Sequence, residues 1–219
     1  MNDEQSIKKR LGEIYSGFNP WAPDYQGWNG NHNIFHKYVE ETRPRTIIEV
    51  GTWKGQSALN MADSCKKLST ETIMFCVDTW LGSLEFIDGR NPHLIDALKL
   101  VHGFPSVYYQ FISNVMHRGH QDVIVPIPQT SHIAAKYFRS QGIKAQLIYV
   151  DASHEYEDVI KDIDAYMPIL KKGGIMFGDD YGFYGVKQAV DEFFNSRGMR
   201  IEVVDGNYWT YRKEAGENV

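Results

Sequence analysis

Five short apolar runs alternate with helical patterns along this chain, and this alternation constrains the fold more than any other feature. The runs are rich in β-branched residues and cover residues 46–50, 72–77, 123–127, 145–150 and 174–178. The helical patterns cover residues 55–68, 106–118, 131–141, 155–171 and 184–197. Nearly all-apolar strands that alternate with helices indicate a parallel sheet with helices on both faces. The sequence therefore predicts an α/β fold.

The C-terminal part of the chain follows a different pattern. Two β-rich runs flank "DGN" in "MRIEVVDGNYWTYRK", which is typical of a β-hairpin. The stretch "KKGG" (171–174) is predicted to end the helix before the fifth strand, since cations and then glycines are common at helix C-termini. The expected architecture is thus a doubly wound, mostly parallel seven-stranded sheet with an antiparallel C-terminal hairpin.

Composition limits the classes of protein to consider. The 219 residues suit one domain, and 42% hydrophobic with 23% charged residues is typical of a soluble globular protein. A net charge of −5 gives no reason to expect a nucleic-acid partner, and no apolar run approaches the roughly 20 residues that span a bilayer. The start of the chain lacks the apolar run of a signal peptide, and Cys65 and Cys76 suggest reduced thiols, so a cytoplasmic location is expected.

A glycine-containing loop follows the first strand in "IIEVGTWKGQSALNMA". Gly51 and Gly55 allow the backbone to approach a ligand at the start of a helix. The spacing is neither the dinucleotide fingerprint nor the P-loop. Glu49, two residues before the first glycine, would repel a phosphate and attract a cation. The alternative is a tight turn without a ligand.

Asp78 ends the second predicted strand in "FCVDTW". An acidic residue at the tip of the strand beside a nucleotide site typically accepts hydrogen bonds from ribose hydroxyls, although a lone Asp there is also a good helix cap. Together with the Glu49 loop, Asp78 indicates a ligand that carries a ribose and a positive charge and lacks a phosphate. S-adenosylmethionine fits this description.

Carboxylates also end the fourth and fifth predicted strands. "LIYVD" places Asp151, and "IMFGDDY" places Asp179 and Asp180, at the edge of the sheet where ligands bind. Three carboxylates without a nearby cation repel one another, and a hard divalent cation such as Mg²⁺ would relieve that repulsion. The alternative is that Asp151 only caps its helix and "DDY" is a solvated turn.

In order and spacing, "IIEVGTWKGQS", "FCVDTW", "LIYVDASHEYEDVIKDI" and "GGIMFGDDY" resemble the class I S-adenosylmethionine-dependent methyltransferases. Within these, the chain is similar to the group that contains macrocin-type sugar O-methyltransferases and cephalosporin-hydroxylase-like proteins, with catechol O-methyltransferase as a more distant relative. The resemblance covers about residues 45–195 and implies a Rossmann-like fold. The cosubstrate contacts that it implies are Glu49, Gly51, Thr52, Gly55, Ser57, Asp78, Thr79, Gln129, Thr130, Ser131 and Asp151.

The same resemblance implies roles in catalysis. The positions of Asp151, Asp179 and Asp180 match metal ligands in the metal-dependent O-methyltransferases, and His154 matches a histidine thought to be the base in macrocin-type enzymes. The alternative for His154 is a residue that only covers the start of its helix. Glu155, Glu157 and Asp158 are expected to be ordinary acids of the first helical turn.

The sequence thus predicts an S-adenosylmethionine-dependent, Mg²⁺-dependent O-methyltransferase in which Asp151 and His154 are catalytic. The acceptor is expected to be a small hydroxylated molecule: a sugar, a catechol-like ring or a natural-product scaffold. A metal-dependent hydrolase and a non-catalytic S-adenosylmethionine-binding module are the alternatives.

The chain is expected to form a single domain over residues 1–219. Residues 1–44 form an N-terminal cap, 45–213 the catalytic core, and 80–104 a lid insertion. Neither a nucleic acid nor a membrane is expected as a partner, and a homo-oligomer is left open.

Overall fold

A mixed β-sheet lies at the centre of the computed structural model, which describes residues 3–10, 14–89 and 92–214. In chain order the strands are β1 (Thr46–Val50), β2 (Ile73–Asp78), β3 (Ile124–Pro128), β4 (Ala145–Val150), β5 (Leu170–Gly178), β6 (Ile201–Val204) and β7 (Tyr208–Arg212). Their spatial order is β3-β2-β1-β4-β5-β7-β6. The first five strands pair in parallel, and β7 pairs antiparallel with both β5 and β6. The prediction of a mostly parallel seven-stranded sheet with a C-terminal hairpin is confirmed.

Helices cover both faces of the sheet because alternate strand residues point to opposite sides. They are α1 (Asp3–Arg10), α2 (Asn33–Thr42), α3 (Gln56–Lys67), α4 (Leu84–Ile87), α5 (Pro92–Ala97), α6 (Val107–Arg118), α7 (Ser131–Ser140), α8 (Tyr156–Tyr166) and α9 (Tyr184–Asn195). In β1, Ile48 joins an apolar cluster with residues of α7, α8 and α9, whereas Ile47 joins one with residues of α2, α3 and α6. Within the described part of the chain, no helix is long and apolar enough to cross a membrane.

The prediction that "KKGG" ends a helix is wrong. Helix α8 ends at Tyr166, and a 3-10 turn at Met167–Ile169 contains Pro168, which has no N–H to continue the helical hydrogen bonds. Residues 171–174 lie within β5, where the register shifts from Ala145 opposite Leu170 to Leu147 opposite Ile175. The extra β5 residues form an irregularity in the strand rather than the end of a helix.

The N-terminal segment and the expected lid insertion are largely irregular. Residues 18–27 form neither helix nor strand, and the described part of 80–104 contains only the short helices α4 and α5. Residues 90 and 91 of the expected lid lie outside the described residues.

Close packing fixes the end of β5, where Gly178 lies between Val150 of β4 and Trp209 of β7. A Cβ atom at Gly178 would overlap the carbonyl oxygen of Val150 and would lie 2.5 Å from Nε1 of Trp209. Both neighbours belong to the sheet and have little freedom to move, so this position admits only glycine. The following residue, Asp179, is placed by this contact.

We expect Gly178→Ala to lower the free energy of unfolding by about 1–3 kcal/mol, because overpacking a filled site forces backbone shifts. Gly182→Ala is the matched control, since nothing lies within 4 Å of a Cβ atom built there. Urea denaturation of both variants checks the difference. Equal stability of the two variants would contradict the packing described for β5.

Candidate functional site

The loop between β1 and α3 is shaped by its two glycines. Gly51 and Gly55 have φ angles of 85° and 87°, a region that other residues rarely adopt. A Cβ atom at Gly51 would overlap the carbonyl oxygen of Asp151 and would lie 2.5 Å from Cα of Ala152. The loop therefore packs directly against the end of β4, and it brings the predicted cosubstrate loop and the acidic edge of the sheet together.

Glu49 is fully buried in β1 beneath this loop. Its Oε1 accepts a hydrogen bond of 2.5 Å from the Ser57 hydroxyl, whereas its Oε2 has no hydrogen-bond partner. The hydroxyl of Thr52 is also buried without a partner. Burial raises the pKa of Glu49 to about 7. A buried carboxylate oxygen without a hydrogen-bond partner lowers the stability of the folded state, and a cationic ligand would compensate this loss.

Asp78 accepts three backbone hydrogen bonds, two of which come from the glycine loop. Its Oδ2 accepts from the N–H groups of Thr52 at 2.9 Å and Trp53 at 2.8 Å, and its Oδ1 accepts from Trp80 at 2.6 Å. The sequence predicted a ribose acceptor at this position. A carboxylate offers about four acceptor sites, so one site is left for a ribose hydroxyl.

Four further predicted cosubstrate contacts follow the ends of β2 and β3. The backbone N–H of Gln129 donates to the Asp78 carbonyl at 3.1 Å, which places the loop after β3 next to the end of β2. Thr130 is the N-cap of α7, while the Ser131 hydroxyl donates to Asp162 at 2.5 Å. Thr79 accepts a hydrogen bond from the N–H of Leu81. Gln129 is exposed and remains available to a ligand.

The predicted acidic residues meet at one edge of the sheet. Asp151 and Asp179 directly follow the paired residues Val150 and Gly178. Asp179 is 4% exposed, and its Oδ1 is buried without a hydrogen-bond partner. Burial, followed by the charge of Asp179, raises the pKa of Asp151, and burial raises the pKa of Asp179 to about 6. Buried carboxyl groups with raised pKa values are expected to bind a cation, because its charge stabilises their ionised forms.

The grouping of possible metal ligands differs in part from the predicted set. One ligand atom each from Asp151, His154 and Asp180 lies within 4.8 Å of the other two, whereas Asp179 is not part of this group. Carboxylate oxygens with one imidazole fit a hard or borderline divalent cation. His154 therefore lies closer to the possible metal position than the sequence predicted, and Asp179 lies beside it.

His154 is held on both sides of its ring. Its Nε2 is 2.9 Å from Oδ2 of Asp180, and its Nδ1 is 3.6 Å from Oε1 of Glu85 in α4. The ring stacks on Phe183 with the centroids 4.9 Å apart. The hydrogen bond with Asp180 raises the pKa of His154. Asp180 itself has a φ angle of 55°, a backbone conformation that Asp tolerates better than most residues.

A strap formed by residues 24–31 crosses the glycine loop. Lys54 and Asp24 form an ion pair of 2.8 Å, Trp53 donates to Gln26 at 3.0 Å, and Gln56 donates to the carbonyl of Tyr25 at 3.1 Å. The strap thus fastens the N-terminal segment to the predicted cosubstrate loop.

The strap also reaches the acidic edge through Asn29. The amide of Asn29 approaches Oδ2 of Asp179 at 3.5 Å, and the hydroxyl of Tyr208 donates to the Asn29 carbonyl at 2.9 Å. The sequence predicted only an N-terminal cap over residues 1–44, and it missed Asn29 and Glu85 as groups at the site. It also missed Tyr149, whose hydroxyl donates a hydrogen bond to Asp151. For Asn29, the only signal in the sequence is that the N-terminal segment is rich in Trp, Asn and Gly.

Aromatic rings connect the strap with the lid segment. The ring centroids of Trp28, Trp53 and Phe86 lie 5.0–6.4 Å from one another. Asn29 follows Trp28, Glu85 precedes Phe86, and Trp53 belongs to the glycine loop, so each ring adjoins a feature of the site. The rings form an apolar wall beside the acidic edge, and 52% of Trp28 is exposed.

Comparison with known proteins identifies the family. A family model described as a methyltransferase domain matches residues 48–181, which include every predicted site residue. An uncharacterized protein of Acanthamoeba polyphaga mimivirus is 26% identical over an alignment of 174 residues that covers 77% of this chain. The chain spans 65% of the length of that relative.

Several solved structures share the fold. The O-methyltransferase NovP is 17% identical with a TM-score of 0.60, and 97% of this chain and 98% of NovP are covered. The O-methyltransferase from Bacillus cereus in complex with SAH is 13% identical with a TM-score of 0.58, at 95% and 91% coverage. TomG from Streptomyces achromogenes, an O-methyltransferase involved in tomaymycin synthesis, in complex with SAM, is 10% identical with a TM-score of 0.60, at 97% and 90% coverage.

At these identities the structural likeness shows the fold, which is the Rossmann-like fold expected for a class I methyltransferase. The family model spans more than half of the chain, from β1 to the residue after Asp180. The chain therefore belongs to the methyltransferase domain family.

Proposed function

We propose that this protein is an S-adenosylmethionine-dependent, Mg²⁺-dependent O-methyltransferase that acts on a hydroxyl of a small molecule. The observation that carries the proposal is the meeting of Asp151, His154, Asp179 and Asp180 directly beside the Glu49 loop. A hydrolase would use the same carboxylates but leaves the buried carboxylate of Glu49 without a role. A cytoplasmic location is proposed as well, since Cys65 and Cys76 are both buried free thiols.

The proposed cosubstrate site uses the polar groups around the glycine loop. Glu49 offers negative charge to a cationic ligand, and Ser57 keeps one of its oxygens in place. Asp78 fixes the loop backbone and has an acceptor site left for a ribose hydroxyl. Thr79 follows the end of β2 as a further cosubstrate contact, and Gln129, Thr130 and Ser131 follow β3, where the family resemblance implies the adenine.

The proposed chemistry takes place at the acidic edge. S-adenosylmethionine supplies a methyl group on a sulfonium, and the divalent cation supplies charge that acidifies an acceptor hydroxyl. His154 takes the proton of that hydroxyl at a ring nitrogen as the acceptor oxygen forms its bond to the methyl carbon. The carbon–sulfur bond breaks at the same time, and S-adenosylhomocysteine leaves as a neutral thioether. We expect the strap and the apolar wall to limit the access of water to these groups.

Isothermal titration calorimetry with S-adenosylmethionine, with and without Mg²⁺, tests the proposal directly. We expect saturable binding, followed by methyl transfer to a hydroxylated acceptor when Mg²⁺ is present. Absence of binding at millimolar cosubstrate would contradict the methyltransferase function. Tight binding without turnover of any hydroxylated acceptor would instead favour a binding module.

We expect Asp179→Ala to abolish methyl transfer while S-adenosylmethionine still binds, since Asp179 lies at the acidic edge and not in the glycine loop. Asp164→Asn is the control, because Asp164 is an exposed α8 residue paired with Arg197. Radiolabelled methyl transfer and calorimetry on the same preparations separate the two effects. Full activity of the wild type in excess chelator would show that no metal takes part.

The buried Glu49 predicts a pH dependence of stability. Its folded pKa of about 7 lies above its ordinary value of 4.5, so the folded state favours the protonated form. Ionisation of Glu49 therefore lowers the free energy of unfolding. This loss is absent below pH 4.5, grows between pH 4.5 and pH 7, and reaches about 3 kcal/mol above pH 7.

Glu49→Gln should remove that cost. Without ligand, the variant should gain stability relative to the wild type between pH 5 and pH 8, while its affinity for S-adenosylmethionine falls because the compensating charge is lost. Urea denaturation at both pH values measures the gain. A difference between variant and wild type that is the same at both pH values would show that Glu49 does not titrate in this range.

A further inference from the structure

Tyr149 contacts the proposed metal site from within the core. It is fully buried in β4, and its hydroxyl donates a hydrogen bond of 2.9 Å to Oδ2 of Asp151. The two residues are two positions apart, so their side chains lie on the same face at the end of β4. A phenol that comes from the core is therefore directed at one oxygen of the carboxylate.

The ring of Tyr149 has little freedom to move. Its centroid lies 4.7 Å from that of Phe177 and 5.0 Å from that of Phe35, and all three side chains are buried. Tyr149 and Phe177 are also paired residues in the register of β4 and β5. Packing from two directions holds the hydroxyl at a defined position.

The acidic residues that follow β4 and β5 differ in their hydrogen bonding. Phe177 stands two residues before Asp179, as Tyr149 stands two residues before Asp151, but Phe177 carries no hydroxyl. Oδ1 of Asp179 is accordingly buried without a hydrogen-bond partner. The Asp151 carboxylate is thus oriented by a hydroxyl from the core, whereas the Asp179 carboxylate keeps one oxygen for a ligand.

We propose that Tyr149 is a positioning residue for the divalent cation, and that it acts by fixing the orientation of the Asp151 carboxylate. The inference rests on the proposed function, since it assigns a role within the same site. Residues that hydrogen-bond to a metal ligand fix its orientation, and their loss commonly weakens metal binding by about 10–100-fold. The hydroxyl of Tyr149 fulfils this condition in a site where three carboxylates otherwise repel one another.

The test compares two conservative variants that each remove one buried hydroxyl. Tyr149→Phe loses the hydrogen bond with Asp151 and keeps the ring. Tyr38→Phe is the matched control, because Tyr38 is equally buried, packs edge-on against Phe177 at 5.1 Å, and shares its hydrogen bond of 2.8 Å with Thr210. Any general effect of a lost buried hydroxyl should therefore be similar in both variants.

Binding of Mn²⁺, followed by the electron paramagnetic resonance signal of the free ion, gives a readout that does not require activity. We expect Tyr149→Phe to bind Mn²⁺ about tenfold more weakly than the wild type, while Tyr38→Phe retains wild-type affinity. Affinity for S-adenosylmethionine, measured by calorimetry, should be unchanged in both variants.

Two results would overturn the inference: wild-type Mn²⁺ affinity in Tyr149→Phe, or an equal loss in both variants, which would indicate a structural effect only. A wild-type protein that binds no Mn²⁺ would instead remove the metal from the proposed function, and the role of Tyr149 with it. The two failures are thus distinguished by the wild-type titration.

Discussion

Electrostatic repulsion among carboxylates at the ends of β4 and β5 is the constraint on which the rest of the site depends. Parallel pairing with Val150 opposite Gly178 places Asp151 and Asp179 side by side. Burial raises the pKa of both, which means that the fold holds them together at a cost to stability. A stable fold tolerates such a cost where binding of a cation recovers it. The glycine loop, the strap and Glu85 of α4 all approach this edge.

Much of the fold could be predicted from the sequence because strand periodicity and glycine positions are local signals. The β1 loop, the strand ends and the hairpin at "DGN" all lie where the pattern placed them. The end of α8 was predicted wrongly, since "KKGG" reads as a helix terminus while Pro168 stops the helical hydrogen bonds earlier. Pro168 is a local signal that this prediction overlooked, whereas the pairing of β5 with β4 and β7 is not local.

The candidate site could be predicted only in part, for the same reason. Glu49 lies in β1, and Asp151 and Asp180 follow β4 and β5. The family resemblance implied a fold that brings the ends of these strands together, so the meeting of the three residues was predictable. Asn29 reaches Asp179 from 150 positions away, and such a contact leaves no pattern in a single sequence. Glu85 approaches His154 from an insertion without periodicity. Contacts of this kind depend on how irregular segments pack, which composition does not determine.

The ion pair between Asp24 and Lys54 has a consequence for where the functional unit begins. The Lys54 side chain is 5% exposed, and its charge is neutralised by a residue that lies well before the matched family region at 48–181. A boundary drawn at that match would leave a buried ammonium group without its counter-ion, and such a loss is strongly destabilising. The N-terminal segment thus neutralises a buried charge of the glycine loop, so the smallest unit that folds correctly must extend at least to Asp24.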